Sequence, residues 1–159
     1  MRTQDFFSQF NILFLALIGG QILFAGVAFY LVSQGFAEGG EDLVDTFRLI
    51  VPILAIGVVF GVRFLYGKRL EQAKNEDGLK AKLNQYRAAF ILKIALYESA
   101  SLFSILAYML TGYQLFIIIA AVIIAFQFTH IPSKEKTIRE LELKGEEKNT
   151  LEAEDALLD

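Results

Sequence analysis

Four apolar stretches, at residues 10–32, 47–66, 88–110 and 113–131, take up more than half of this 159-residue chain. A helix that crosses a bilayer needs about 20 mostly apolar residues, and each stretch has that length. Inside hydrocarbon every backbone N–H and C=O must be satisfied within the protein, which leaves helices or a closed barrel. The stretches lack the period-two alternation of barrel strands and are about twice as long as a tilted strand requires. The expectation is therefore an all-α, four-helix transmembrane bundle over residues 1–132, followed by a charged tail over 133–159. A composition that is 55% hydrophobic agrees, and the spans leave no room for a separate soluble domain of ordinary size. Arg2 and the small-x-small run Gly35-Phe36-Ala37 resemble parts of a secretory signal. The first apolar region is longer than the roughly 7–15 residues of such a signal, so it reads as a retained helix.

Charge sets the expected orientation, because Lys and Arg gather on cytoplasmic loops. The connection between the second and third stretches carries Lys68, Arg69, Lys74, Lys80, Lys82 and Arg87, with Arg63 just before it. The tail adds Lys134, Lys136, Arg139, Lys144 and Lys148. The first connection instead holds Glu38, Glu41, Asp42 and Asp45, with Arg48 behind them, and the third holds no charge. Both termini and the middle connection are thus expected in the cytoplasm of a multi-pass protein of the cell (inner) membrane. Tyr30, Tyr108 and Tyr113 fall at the expected outer boundary and Tyr66 and Tyr86 at the inner one, where amphipathic rings are best solvated. Arg63 is close enough to the inner boundary to serve orientation.

The middle connection, 67–87, reads as a helical hairpin. Asn75-Glu76-Asp77-Gly78 supplies the turn, and Leu79 and Leu83 are spaced to face one partner. Gly112 marks a tight outer turn that makes the last two helices antiparallel neighbours. Beyond Pro132 and Ser133, residues 134–144 can form a short amphipathic helix with Ile138 and Leu141 on one side. From Gly145 onward the acidic, polar composition predicts disorder.

Chemistry concentrates on the third stretch. Glu98 lies about 16 Å into the membrane from Arg87 at helical rise. A carboxyl there costs roughly 2.5–3.5 kcal/mol on insertion scales and is a functional-site hypothesis by default. Lys93, Tyr97, Ser101, Ser104 and Tyr108 recur at steps of three and four and form one stripe. Such a stripe is expected to face the bundle interior, with Glu98 on its flank and Lys93 snorkelling toward the cytoplasm. Gln21, at similar depth in the first stretch, is the expected hydrogen-bond partner of Glu98. The pair reads either as interhelical glue or as a proton- or cation-binding site. Gly57 and Gly61 form a GxxxG element, and Ala16 and Gly20 offer a complementary small surface for close helix packing. Pro52 is placed to kink the second helix near the outer face.

Other classes find little support. The absence of Cys removes disulfides and thiol chemistry. His130, the lone histidine, cannot build a metal site alone. No phosphate loop, nucleophile–base set or nucleic-acid motif is present, and no cofactor is expected. The partners in view are the lipid bilayer, further copies of the chain, or a larger membrane complex.

Two resemblances follow from these residues. Leu17-Ile18-Gly19-Gly20-Gln21-Ile22-Leu23-Phe24, Ala95-Leu96-Tyr97-Glu98, Leu110-Thr111-Gly112 and Pro132-Ser133-Lys134-Glu135-Lys136 resemble a family of small four-helix bacterial integral membrane proteins without an assigned activity. This likeness implies fold and location only. Residues 52–110, with Ala95-Leu96-Tyr97-Glu98-Ser99-Ala100, are similar to the proteolipid c subunits of rotary ATPases. That resemblance implies a proton or sodium ion carried on Glu98. The chain departs from c subunits in its sparser glycines, its longer polar turn and its two flanking helices. The leading expectation is a non-enzymatic packing or assembly subunit, and the alternative is a proton- or cation-coupled transport component using Glu98.

Overall fold

Helices account for almost all of the chain, and they run past the ends of the apolar stretches. The computed structural model describes residues 2–37 and 39–153. Glu38 of the acidic first connection and residues 154–159 of the tail lie outside the described residues. The elements are α1 (Thr3–Ser33), α2 (Glu41–Lys74), α3 (Leu79–Thr111), α4 (Gln114–Phe128), α5 (Lys134–Leu141) and α6 (Gly145–Glu152). The described chain is all-α, and three of its helices, α1 to α3, are long and apolar enough to cross a membrane. The fourth expected span is shorter: α4 has 15 residues, about 22 Å of helix.

Helix α3 is the hub. Helices α1, α2, α4 and α5 each pack against it. Half of its most apolar window is buried, against 22% for α1 and 11% for α2, so α1 and α2 turn most of their apolar surface outward. Exposed Leu15, Leu23, Phe29, Ile53, Phe60 and Phe64 illustrate that outer surface. Helix α1 starts earlier than its apolar stretch because Phe6, Phe10 and Phe14, four residues apart, share a face that packs on α3. The Phe10 ring lies 4.8 Å from that of Phe90 and 6.4 Å from that of Tyr86. On α2, Val51, Val62 and Ala73 are buried. They are eleven residues apart, nearly in register after three turns.

The expected hairpin is present as the continuation of α2 and α3 beyond their spans, and it turns at Gly78 with φ +85°. Leu83 is buried and Leu79 packs on the core, as their spacing predicts. At the opposite end Gly112 caps α3 with φ +67°. The Gly39 N–H donates to the Leu110 carbonyl there at 3.0 Å. Arg48 sits 4.8 Å from the Tyr113 ring centroid at the same end.

The tail corrects one expectation. Residues from Gly145 were expected to be disordered, yet Gly145–Glu152 is helix α6. Composition missed it because two leucines, Leu143 and Leu151, are enough to seat it: both are buried. Lys82 of α3 also pairs with Glu147 at 2.8 Å. The preceding helix α5 forms as expected, with Leu141 buried and Ser133 as N-cap, its hydroxyl accepting from the Lys136 N–H.

Gly112 gives a direct test of this framework. Its left-handed conformation disfavours any Cβ by about 1–2 kcal/mol, and a Cβ there would also press on Ala37 at 3.2 Å. Gly112→Ala should destabilise the protein by about that amount in detergent unfolding titrations. Gly78→Ala has open space around it, but its φ of 85° and ψ of 148° lie close to a region essentially confined to glycine, so it should cost at least as much through backbone strain alone.

Candidate functional site

The α3 stripe faces inward as its spacing predicts. Lys93, Tyr97, Ser101, Ser104 and Tyr108 are all buried. At its middle three helices exchange hydrogen bonds. The Ser101 hydroxyl of α3 donates to Gln21 Oε1 of α1 at 2.5 Å. The Gln127 amide of α4 donates to the same oxygen at 2.9 Å, and the Gln21 amide returns a bond to Gln127 Oε1 at 3.2 Å. All three side chains are fully buried. A reciprocal amide pair suits this place, because each amide carries both donor and acceptor and neither is stranded in a medium without water.

This arrangement corrects the expected Glu98–Gln21 hydrogen bond. Gln21 is engaged by Ser101 and Gln127, and Gln127 had not been singled out by depth or spacing on α1 and α3. Glu98 joins the cluster only through its main chain, whose carbonyl accepts from Ser101 Oγ at 3.0 Å. Its side chain lies off the buried stripe, beside exposed Ala95 and Ser99, and is itself half-buried. Among the described residues no group hydrogen-bonds or ion-pairs with its carboxyl.

The small-residue faces also differ from expectation. A Cβ added at Gly20, Gly57 or Gly61 would meet nothing within 4 Å, and Ala16 is exposed. They do not pack α1 against α2. On α1 the face toward α3 carries Phe14, Ile18 and Gln21, and Ala16 falls on the opposite side. Gly57 is likewise displaced from the Val51–Val62–Ala73 line on α2.

A second polar knot closes the hairpin end. Glu140 of α5 accepts from the hydroxyls of Tyr66 at 2.5 Å and Tyr86 at 2.9 Å, binding α5 to α2 and α3 together. Tyr66 and Tyr86 thus hold a carboxylate, where the sequence reading gave them a place in the solvated boundary, and Tyr86 is fully buried. Lys93 does not reach open water either: its ammonium lies 4.3 Å from the Tyr66 ring centroid and 5.7 Å from that of Phe90. Glu140 is not distinguished by sequence because it is one of seven charged residues between 134 and 144, with nothing local to set it apart. Its one signal is position, next to the buried face marked by Thr137 and Leu141.

Around this knot Lys74 pairs with Glu71 at 3.0 Å and Glu142 at 2.7 Å. Carbonyls at the C-terminal end of the short helix α4 have side-chain donors. Lys136 Nζ donates to the Thr129 carbonyl at 3.1 Å, and the Thr129 hydroxyl donates to that of Phe126 at 2.7 Å. His130 packs its ring 4.8 Å from Phe126 and 5.9 Å from Tyr97. Among the described residues no three His, Cys, Asp or Glu side chains converge as a metal-binding group. Comparison with protein-family models, curated proteins and solved structures finds no match to this chain.

Two predictions follow from this geometry. Gln21→Leu leaves the Gln127 amide unpaired and should cost about 1–3 kcal/mol in detergent unfolding. The double change Gln21→Leu/Gln127→Leu should cost less than the two singles added together; strict additivity would show that the amides do not interact. At the tail, the Lys74 ammonium holds the Glu142 carboxyl below its ordinary range. Its contribution to tail docking is complete above the unfolded carboxylate pKa and fades as pH falls through the lower folded one. Amide exchange over α5 should therefore accelerate on acidification, modestly because the pair is exposed, and Glu142→Gln should flatten that profile.

Proposed function

We propose that this chain is a four-helix integral protein of the cell (inner) membrane, with both termini and the α2–α3 hairpin in the cytoplasm. The lysines and arginines of the hairpin and tail support that orientation. The side-chain donors from Thr129 and Lys136 to carbonyls at the C-terminal end of α4 support its counting as the fourth span despite its length, since a helix end at membrane depth needs such partners.

Its role in this reading is a packing or assembly subunit, non-enzymatic, that joins copies of itself or a larger membrane complex. The observation that carries the reading is the Glu98 side chain, half-buried near mid-span with no partner among the described residues. A carboxyl facing lipid is expensive, and a polar group from a neighbouring helix relieves that cost. The open faces around Gly57, Gly61, Ala16 and Gly20 leave room for another backbone to approach closely.

Native mass spectrometry from mild detergent should show oligomers or bound partners. Glu98→Leu should weaken that association by about three- to thirtyfold, the range of interhelical polar contacts in membranes. A wild-type protein that is monomeric under all mild conditions sinks the assembly reading.

The same unpartnered carboxyl favours one rival, a proton- or cation-coupled transport component. Liposomes separate the two. Where the wild type carries flux, Glu98→Gln should abolish it if the carboxyl binds the ion. Equal flux from both proteins takes Glu98 out of transport.

A further inference from the structure

The face formed by α2, α3 and α4 contains a groove of about 270 Å³, open on one side to the surroundings. Its walls are Ala55 and Val59 of α2, Tyr97 and Ala100 of α3, and Val122 and Phe126 of α4. That is slightly below the usual 300–1,000 Å³ of small-molecule pockets, which suits a single slender chain. The lining is apolar except for the Tyr97 hydroxyl. That hydroxyl has no protein hydrogen-bond partner among the described residues, although buried tyrosines ordinarily find one.

The charge lies at one end of the groove only. One turn beyond Val59, on the same side of α2, stands exposed Arg63. One turn beyond Phe126 stands His130, whose ring packs on both Phe126 and Tyr97. One turn beyond Tyr97 is Lys93. Lys136 crosses from α5 to the end of α4, where its bond to the Thr129 carbonyl uses one of three ammonium protons. Of the two acids on α5, Glu140 is taken up by the Tyr66 and Tyr86 hydroxyls, and Glu135 is exposed in the first turn.

We propose that this groove binds an anionic phospholipid of the hairpin-side leaflet, one acyl chain lying in it and the phosphate meeting Arg63 and Lys136 at its mouth. Lys93, held over the Tyr66 ring, adds positive field from behind. The free Tyr97 hydroxyl supplies a donor for an ester carbonyl. An uncharged lipid satisfies the apolar walls equally well but leaves the cations at the mouth without a counter-charge. The proposal rests on the membrane reading above.

The test uses the full chain purified in mild detergent, with phosphatidylglycerol and phosphatidylcholine of identical acyl chains added in equal amounts. Native mass spectrometry then counts the lipids retained. Phosphatidylglycerol should be retained preferentially, and Arg63→Gln and Lys136→Gln should each weaken its retention about fivefold, the effect of one basic residue near an anionic headgroup. Lys148→Gln, in the distal tail, should change nothing. Ala55→Phe, which fills the groove, should reduce retention of the lipid whatever its headgroup. Equal retention of the two lipids overturns the proposal, as does indifference to both charge variants. Arg63 is exposed, so Arg63→Gln keeps the result decidable if Ala55→Phe or Lys136→Gln fails to fold. Alkaline extraction of native membranes reads the underlying premise separately. A chain stripped into the supernatant overturns the membrane reading itself, whereas one that stays in the pellet and shows no headgroup preference overturns only the lipid site.

Discussion

The reciprocal amide pair between Gln21 and Gln127, with the Ser101 hydroxyl on the shared oxygen, fixes how α1, α3 and α4 stand against one another. Apolar contacts alone specify register poorly in a membrane, because lipid tails are as apolar as leucine and helices gain little by exchanging one for the other. A hydrogen-bonding group is different, since sliding or rotating its helix leaves it unsatisfied in hydrocarbon. Three helices contribute one polar side chain each to the same fully buried point. Rotation of α1, α3 or α4 by even one residue breaks the set. The bulky aromatic packing of Phe10 and Phe14 on Phe90 then fills space around an alignment that the polar groups have chosen.

At the hairpin end the problem is reversed. Water competes for every polar contact there, so isolated surface pairs such as Lys74–Glu142 contribute little each. The knot at Glu140 works because it is partly withdrawn from water and because two hydroxyls on different helices converge on one carboxylate. It attaches α5 to α2 and α3 at once. The buried leucines of the tail and the Lys82–Glu147 pair then bring α6 along.

The sequence was most legible where one period ran unbroken. The α3 stripe from Lys93 to Tyr108 is buried residue for residue, and the turns at Gly78 and Gly112 fall where glycine was needed for positive φ. It was least legible where two distant segments must meet. Gln127 and Gln21 are 106 residues apart, and nothing in either helix alone tells which polar residue of another faces it. Depth suggested Glu98 for Gln21, but depth fixes only one coordinate; the angular one put Ser101 there, three residues on. The glycines misled for a related reason. Small residues permit close approach without requiring it, and here the faces of Gly57 and Gly61 remain open. The α6 helix shows the remaining failure: composition weighs every residue alike, whereas two buried leucines decided the outcome.

Glu140 and Glu98 are the same chemical group under opposite circumstances, and the contrast narrows what each is for. Glu140 sits in a run of charges that read as solvated tail, yet it has two hydroxyl donors and basic side chains nearby; its placement is fully accounted for by holding the tail helix to the bundle. Glu98 sits in the middle of a long apolar helix, where a carboxyl is poorly tolerated, and the described residues offer it no donor. The polar cluster one turn away could have taken it in, since Ser101 already donates toward its carbonyl, but two neutral amides fill that place at no cost in charge. A structural acid would be expected inside such a cluster. An acid left on its rim, half-buried and unpaired among the described residues, is the observation on which the proposed neighbouring helix, or the proposed ion or proton, rests.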